Sequence, residues 1–318
     1  MILRTVACAA IVVVSGYAVA DVASSRGTQY ETPAPGSVVH DVTYSTTSNQ
    51  KLDIYYPSTP GPHPVIVWLH GGGWIAGSKA EGLPDYLERQ LERRNFVGVA
   101  IDYRLAGWTP DGAPVDPFPA ALHDVKTAVR FLKAHDDEYD LESNEILLAG
   151  VSAGGHLAAL AGTSASLGLI EPDSLPPDLG AVDSTVRGVI DVVGISDVEA
   201  WSQLGSVWAR EPVAAFLGCP RWTSGPVDCP ADAYARASVA TYVSVVAPPA
   251  FLAYATQDEL VPPAEQGVPL YWQWTAAKGA ENVYYDESAT QGHDLDGSGI
   301  DTDRLEQFID AVLAGTIN

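Results

Sequence analysis

The chain has 318 residues, with 40 acidic and 17 basic side chains and a formal net charge of −23 at pH 7. This acidic balance argues against nucleic acid or an anionic membrane surface as a partner, because both would be repelled. The length suits one α/β domain with an insertion, and no internal repeat divides the chain. We therefore expect a single folded domain over residues 21–318.

Residues 1–20 are predicted to form a secretory signal peptide. Arg4 precedes an apolar stretch over residues 6–14, and small residues at 18–20 precede Asp21. The apolar stretch is short for a membrane span, although a membrane anchor is the alternative interpretation. We expect an exported protein, extracellular or periplasmic, with no membrane partner.

The remaining sequence alternates between strand and helix patterns. A mostly parallel sheet covered on both faces by helices follows from this alternation. Strands are predicted over residues 38–44, 51–56, 65–69, 96–103, 145–149, 186–193, 250–255 and 282–285, and helices over 84–94, 118–135, 155–164, 263–278 and 301–314. The segment 195–244 is rich in Trp, Pro and small residues and is predicted to be an irregular cap over the carboxyl edge of the sheet.

Two glycine-rich motifs follow strands and indicate chemistry. Gly150-Val151-Ser152-Ala153-Gly154 joins an apolar run to a small-residue helix, the context in which G-x-S-x-G presents a nucleophilic serine. His70-Gly71-Gly72-Gly73-Trp74 follows the strand at 65–69 and matches the HGGG element whose N–H groups form an oxyanion hole in lipases and esterases. Together the motifs predict acyl-transfer chemistry at Ser152.

With these motifs the sequence resembles serine esterases of the α/β-hydrolase fold, and among them the hormone-sensitive-lipase-like and feruloyl/acetyl-xylan esterase (BD-FAE-like) group. The resemblance runs from about Pro60 to the C-terminus and also rests on residues 102–106, 257–262 and 291–293. It implies an α/β-hydrolase catalytic domain with a short cap insert at about 195–244. The segments at 257–262 and 291–293 look more like the xylan-esterase and prolyl-oligopeptidase side than the lipase side, and Asp294 follows the histidine where lipase-like members usually carry an aromatic residue.

The resemblance also assigns roles to particular residues. The N–H groups of Gly72, Gly73 and Ala153 match the oxyanion-hole positions of the family. Asp102 and Arg104 match a buried structural pair near the nucleophile.

Chain order selects the partners of Ser152, since this fold uses the order serine, acid, histidine. His293 is the predicted base among seven histidines, and Asp258, after the strand at 250–255, is the predicted acid that orients it. His156, one helical turn beyond Ser152, is expected to pack beneath the turn instead. Glu259, Asp286, Asp294 and Asp296 are alternative acids.

Cys219 and Cys229 remain after removal of the signal peptide, and their spacing in an exported chain predicts a disulfide. Free thiols and a metal pair are the alternatives. We expect neither a metal nor an organic cofactor. Residues 294–303 begin like a calcium loop, but Leu305 occupies the position of its final acidic ligand, so an ordinary loop with helix-capping acids is favoured.

The predicted function is a secreted serine carboxylesterase that hydrolyses short-acyl aryl or carbohydrate esters through an acyl-enzyme. Trp74, beside the oxyanion segment, is the predicted substrate-binding residue, and Trp108, Trp201, Trp208 and Trp222 are further candidates for the pocket. A small-molecule or polysaccharide ester is the expected partner, and the oligomeric state is left open. The alternatives are a serine peptidase or amidase of the prolyl-oligopeptidase type, and a non-catalytic binding or adhesion relative.

Overall fold

The computed structural model describes residues 33–46, 48, 50–204, 207–290, 292–293 and 299–318, which belong to one compact unit. The predicted signal peptide at 1–20 lies outside the described residues, as do residues 294–298 of the predicted acidic loop. No helix in the described ranges is long and apolar enough to cross a bilayer.

An eight-stranded sheet forms the centre of the molecule. Its strands are β1 (Val38–Ser45), β2 (Gln50–Tyr55), β3 (His63–Leu69), β4 (Val97–Ile101), β7 (Leu141–Val151), β8 (Gly188–Val192), β9 (Ala250–Ala255) and β10 (Val283–Ala289), and β5 (Gly107–Trp108) pairs separately with β6 (Pro114–Val115). The order is β1-β2-β4-β3-β7-β8-β9-β10. Within the eight described strands of this sheet, the β1–β2 and β2–β4 pairs are antiparallel and the other pairs are parallel, so the predicted mostly parallel sheet is confirmed.

Helices cover both faces of this sheet. They are α1 (Asp85–Arg94), α2 (Ala120–Ala134), α3 (Asp136–Tyr139), α4 (Ala153–Ser166), α5 (Val198–Gln203), α6 (Val207–Phe216), α7 (Ala231–Ala237), α8 (Gly267–Lys278) and α9 (Thr302–Leu313). Neighbouring residues of β8 face opposite layers, because a side chain built at Gly188 would meet Phe308 of α9 whereas Val189 packs near Gly162 of α4. Salt bridges from α1 to α9 place α1 on the α9 face.

The cap is helical, so its prediction as an irregular segment is wrong. Helices α5, α6 and α7 all fall within residues 195–244, although α6 contains Pro212. The apolar side chains of Ala209, Val213 and Phe216 are fully or almost fully buried. Tertiary packing of these residues therefore outweighs the poor helix propensity of proline and the shortness of the segments. In the structure, Cys219 and Cys229 are joined by a disulfide that closes the segment between α6 and α7.

Candidate active site

Ser152 occupies a sharp turn between β7 and α4. Its backbone has φ 55° and ψ −119°, a combination that side-chain-bearing residues rarely adopt. The Ser152 N–H donates to the carbonyl of Val192 at 2.8 Å, so the turn is fixed to the neighbouring strand. A Cβ at Gly154 would lie 2.1 Å from the carbonyl oxygen of Leu69, which explains why glycine is needed there. The turn therefore holds Ser152 at the carboxyl edge of the sheet.

Three side chains from separate loops form a hydrogen-bonded row at this edge. The Oγ of Ser152 lies 3.0 Å from Nε2 of His293, and Nδ1 of His293 lies 2.7 Å from Oδ2 of Asp258. Nδ1–H donates to the carboxylate, which leaves Nε2 free to accept the Ser152 hydroxyl proton. Ser152 and His293 are half-buried and Asp258 is buried. We call this arrangement the Ser152–His293–Asp258 row.

Asp258 is held by its own loop as well as by His293. Its Oδ1 accepts the N–H groups of Leu260 at 2.9 Å and Val261 at 2.8 Å. The indole of Trp201 on α5 donates to the carbonyl of Leu260 at 2.7 Å and so attaches this loop to the cap. Because Oδ1 is committed to the backbone, Oδ2 is left to orient the imidazole.

The glycine segment after β3 lies against the serine turn. A Cβ at Gly71 would be 3.6 Å from the Cβ of Ser152. Gly72 and Gly73 have φ values of 106° and 61°, and the carbonyl of Gly72 accepts the N–H groups of Ile75 and Ala76. Within the described residues, no protein acceptor pairs with the N–H groups of Gly72, Gly73 or Ala153. These three N–H groups are thus available to a ligand oxygen.

Two aromatic rings support the glycine segment from below. His70 is buried, stacks on Tyr103 with ring centroids 4.2 Å apart, and its burial lowers the pKa of the imidazole. The Tyr103 hydroxyl donates to the carbonyl of His70 at 2.8 Å. His70 is therefore a neutral structural residue of the motif.

Trp74 is fully buried, so the prediction that its side chain binds substrate is wrong. The indole stacks on Phe216 of the cap, with ring centroids 4.2 Å apart, and its N–H donates to Nδ1 of His156 at 3.1 Å. Nε2 of His156 in turn lies 2.7 Å from the carbonyl of Ala237 on α7. The indole therefore lies in the interior, where it contacts His156 of α4 and Phe216 of the cap directly after the glycine segment.

The placement of His156 beneath the serine turn agrees with the prediction from sequence. Burial lowers the pKa of His156 to about 4, so the ring is neutral at physiological pH. Its Nδ1 accepts from Trp74, which requires the tautomer whose Nε2–H donates to Ala237. Both ring nitrogens are therefore occupied, and His156 cannot act as a base for Ser152 in this arrangement.

A buried carboxyl below the serine turn was missed by the sequence analysis. Asp191 lies on β8, is fully buried, and has no hydrogen-bond partner for either oxygen among the described residues. A Cβ at Gly155 would lie 2.4 Å from its Oδ1. Burial raises the pKa of Asp191 to about 7, although the nearby Gly194 N–H and Tyr254 hydroxyl lower it. The Tyr254 hydroxyl donates its hydrogen bond to the carbonyl of Gly194. The signal available in the sequence was an Asp within an otherwise apolar strand.

The predicted pair of Asp102 and Arg104 needs correction. Asp102 does not pair with Arg104; its Oδ1 accepts the N–H of Lys79 at 2.8 Å. Arg104 instead makes a bidentate contact with Asp124 of α2, at 2.9 and 3.0 Å. The pair that the family resemblance implied is not formed, because the partner of Arg104 comes from a helix that packs against this loop.

The remaining tryptophan candidates are divided between core and surface. Trp201 is buried, Trp108 donates to the carbonyl of Cys219, Trp222 donates to that of Gly225, and the Trp208 side chain is exposed.

No cluster of His, Cys, Asp and Glu that could hold a metal occurs among the residues that the structure describes. Residues 294–298, the first half of the loop at 294–303 that begins like a calcium site, lie outside those residues.

Comparison with known proteins places this site in a family. The BD-FAE family model matches residues 52–273. Esterase LipC of Mycobacterium tuberculosis is 34% identical over 162 residues, which cover 50% of this chain and 37% of LipC. Esterase LipQ of the same organism is 28% identical over 236 residues, or 73% of this chain and 50% of LipQ. The chain thus spans half or less of the length of these curated relatives.

Solved structures agree on the fold. A truncated carbohydrate esterase from gut microbiota superposes with a TM-score of 0.71 at 23% identity, covering 89% of this chain and 99% of that one. A hyperthermophilic esterase from Pyrobaculum calidifontis superposes with a TM-score of 0.64 at 21% identity, covering 89% and 87% of the two chains. The family match, the strand order and these superpositions together show that the chain belongs to the BD-FAE family and has the α/β-hydrolase fold.

Proposed function

We propose that this protein is a carboxylic ester hydrolase in which Ser152 is the nucleophile. The observation that carries the proposal is the continuous Ser152–His293–Asp258 row, with its 3.0 and 2.7 Å contacts, next to three backbone N–H groups that have no acceptor in the described part of the chain. The names of LipC and LipQ, both esterases, support the same reaction class.

The proposed chemistry follows from the positions of the protons. His293 removes the Ser152 proton through Nε2 as the serine oxygen attacks the ester carbonyl, and Asp258 stabilises the resulting imidazolium. The N–H groups of Gly72, Gly73 and Ala153 stabilise the negative oxygen of the tetrahedral intermediate. His293 then protonates the leaving alcohol, and the same residue activates the water that hydrolyses the acyl-enzyme.

The substrate that we propose is a short-acyl ester of an aryl alcohol or a carbohydrate. The cap supports a small acyl site, because its aromatic residues Trp201 and Phe216 are packed against the buried Trp74. The printed description of one structural neighbour as a carbohydrate esterase supports a sugar-bearing leaving group.

A panel of p-nitrophenyl esters from acetate to laurate, with matched anilides and peptides, tests this proposal. We expect turnover of acetate to butyrate, weak turnover of laurate, and none by Ser152→Ala. Faster cleavage of the amides would favour a peptidase, and turnover that rises steadily with acyl length would contradict the short-acyl site.

We also propose that the protein is exported and that a signal peptide is removed before Asp21. The disulfide between Cys219 and Cys229 supports an oxidising compartment. N-terminal sequencing of protein secreted by an expression host tests cleavage; a mature chain that still begins at Met1 would contradict it.

A further inference from the structure

The cap contains a concave site separate from the Ser152–His293–Asp258 row. It is a cavity of about 460 Å³ between α5, α6 and the disulfide-closed segment, lined in part by Glu199, Gln203, Arg210, Pro226 and Tyr234. All of its described lining residues belong to the cap. We call it the cap pocket; its volume falls within the range of small-molecule sites.

Three polar side chains of the cap pocket, those of Glu199, Gln203 and Arg210, make few contacts with the part of the chain that the structure describes. Within the described residues, Arg210 makes only a 3.4 Å contact from Nε to the carbonyl of Ser202, and its guanidinium lies 5.8 Å from the Trp222 ring centroid. No carboxylate pairs with it there, although the chain carries 40 acidic residues. Glu199 has no cationic partner and Gln203 no hydrogen bond in the same described ranges. A donor, an acceptor and an amide that provides both therefore face one cavity.

The balance of charge and surface selects the class of ligand. One carboxylate and one guanidinium give the cap pocket no net charge, and Pro226, Val227 and Tyr234 supply apolar surface beside them. Hydroxyl groups bind both to carboxylates and to guanidinium, whereas the C–H face of a sugar ring packs on apolar surface. The net charge of −23 would repel an acidic polymer. We propose that the cap pocket binds a neutral sugar unit of a polysaccharide chain.

Two of the helices that line the cap pocket, α5 and α6, also contact the active site, each through its opposite face. On α5, Trp201 donates to the Leu260 carbonyl, and Glu199, two residues before Trp201, lines the cap pocket. On α6, a side-chain carbon of Pro212 lies 3.2 Å from a Cβ built at Gly73, and Arg210, two residues before Pro212, lines the cap pocket. Residues two apart on a helix point in nearly opposite directions, so one helix diameter of about 10 Å separates the two sites. The cap pocket would therefore retain the polymer without touching the reacting ester.

Binding of an unesterified sugar chain tests this site independently of ester hydrolysis. Isothermal titration of xylohexaose into the full-length protein should give saturable binding. Arg210→Ala should weaken it at least about tenfold, because a charged hydrogen bond is lost. Glu199→Gln, an isosteric change at an exposed position, should weaken it less. Arg221→Ala is the matched control, because Arg221 lies in the same cap but pairs with Glu211 at 3.2 Å, outside the pocket lining. Retention of full affinity in Arg210→Ala, or no binding by the wild-type protein, would overturn the proposal.

The use of the cap pocket in catalysis rests on the proposed esterase function. Steady-state kinetics distinguish sugar binding in the cap pocket from ester hydrolysis at Ser152. For Arg210→Ala we expect the KM for acetylated xylan to rise about tenfold while kcat/KM for p-nitrophenyl acetate stays unchanged. Equal losses on both substrates would show that Arg210 acts on the catalytic loops instead. Tighter binding of an oligogalacturonide than of xylohexaose would overturn the choice of a neutral sugar. Xylohexaose binding without any ester turnover would leave the cap pocket standing and contradict the esterase proposal.

Discussion

The region above the serine turn and the region below it use histidine and aspartate in opposite ways. Above it, His293 and Asp258 come from loops, and each contacts the next member of the Ser152–His293–Asp258 row. Below it, His156 and Asp191 are fully buried; His156 is hydrogen-bonded at both nitrogens, whereas neither oxygen of Asp191 has a hydrogen-bond partner among the residues that the structure describes. The same residue types are thus placed for the proposed proton transfer where one ring nitrogen faces the serine, and for packing where none does.

The largest expected effects come from the upper region. Ser152→Ala and His293→Ala should each lower ester turnover by about 10⁴–10⁶-fold, because nucleophile and base act as one unit. Their thermal unfolding should change little, since both side chains lie at the surface edge. Circular dichroism and p-nitrophenyl acetate kinetics measure the two quantities. His156→Ala is the matched comparison, and the division of roles fails if it loses as much turnover as His293→Ala.

Ester turnover should depend on which glycine of the segment after β3, Gly72 or Gly73, receives an added methyl group. At Gly72 a Cβ would lie 2.2 Å from the carbonyl oxygen of Ala76, whereas at Gly73 the nearest atom is a Pro212 side-chain carbon at 3.2 Å. Since both residues also have positive φ, both alanine variants should lose turnover, by about 10–10³-fold, with Gly72→Ala the more affected. Measured kcat for the two folded variants checks the order. Wild-type kcat in both would place the oxyanion donors elsewhere.

Loss of the buried histidine should lower stability more than it lowers catalysis. His156→Leu leaves the Trp74 N–H and the Ala237 carbonyl without partners, at a cost of about 2–4 kcal/mol in the free energy of unfolding. Adding Trp74→Phe removes the orphaned donor, so the double variant should be less destabilised than the sum of the two single variants. Urea unfolding of all four proteins measures this coupling. Strict additivity would show that the 3.1 Å contact contributes nothing.

The two buried groups should give opposite dependences of stability on pH. Because burial lowers the pKa of His156 to about 4, its contribution to stability is lost as pH falls from about 6.5. Because burial raises the pKa of Asp191 to about 7 from an ordinary 3.8, the folded protein keeps a proton that the unfolded chain has released, and stability falls as pH rises from about 4 to 7.

Substitution separates these two contributions. Asp191→Asn removes the loss of stability that the Asp191 carboxyl causes as pH rises. The melting temperature of this variant relative to the wild type should therefore increase steadily between pH 4 and pH 7. Above pH 7 the difference should level off. A difference that is constant with pH would mean that Asp191 does not hold its proton in the folded protein. Gly155→Ala is unsuitable as a control, because its Cβ would meet Asp191 itself.

The disulfide should have the smallest and least specific effect. Cys219→Ser with Cys229→Ser opens a loop of ten residues and should cost about 2–3 kcal/mol by loop entropy, without changing kcat on small esters. Differential scanning calorimetry measures the loss. A fall in kcat equal to that of Gly72→Ala would show that the cap also shapes the oxyanion segment.

The sequence by itself determined the sheet and the residues of the row. Apolar strands followed by glycine turns are local patterns, so Ser152, the glycine segment and the strand before Asp258 could be located without knowledge of the fold. Chain order then selected His293, and helical spacing placed His156 beneath Ser152. Ser152, the glycine segment and His156 could be located because each of those inferences depends on residues within a few positions of one another, whereas His293 was selected only by its place in the chain order.

Only the tertiary structure decided which side chains are buried and what they contact. Trp74 lies beside the oxyanion segment in sequence, yet the cap and α4 enclose its indole, and Arg104 pairs with a helix rather than with Asp102. The cap became helical because Phe216 and its neighbours pack against that indole, a contact between segments more than a hundred residues apart. Asp191 lies under Gly155 for the same reason: its place in an apolar strand indicates burial, but only the assembled layers decide which residue packs against it.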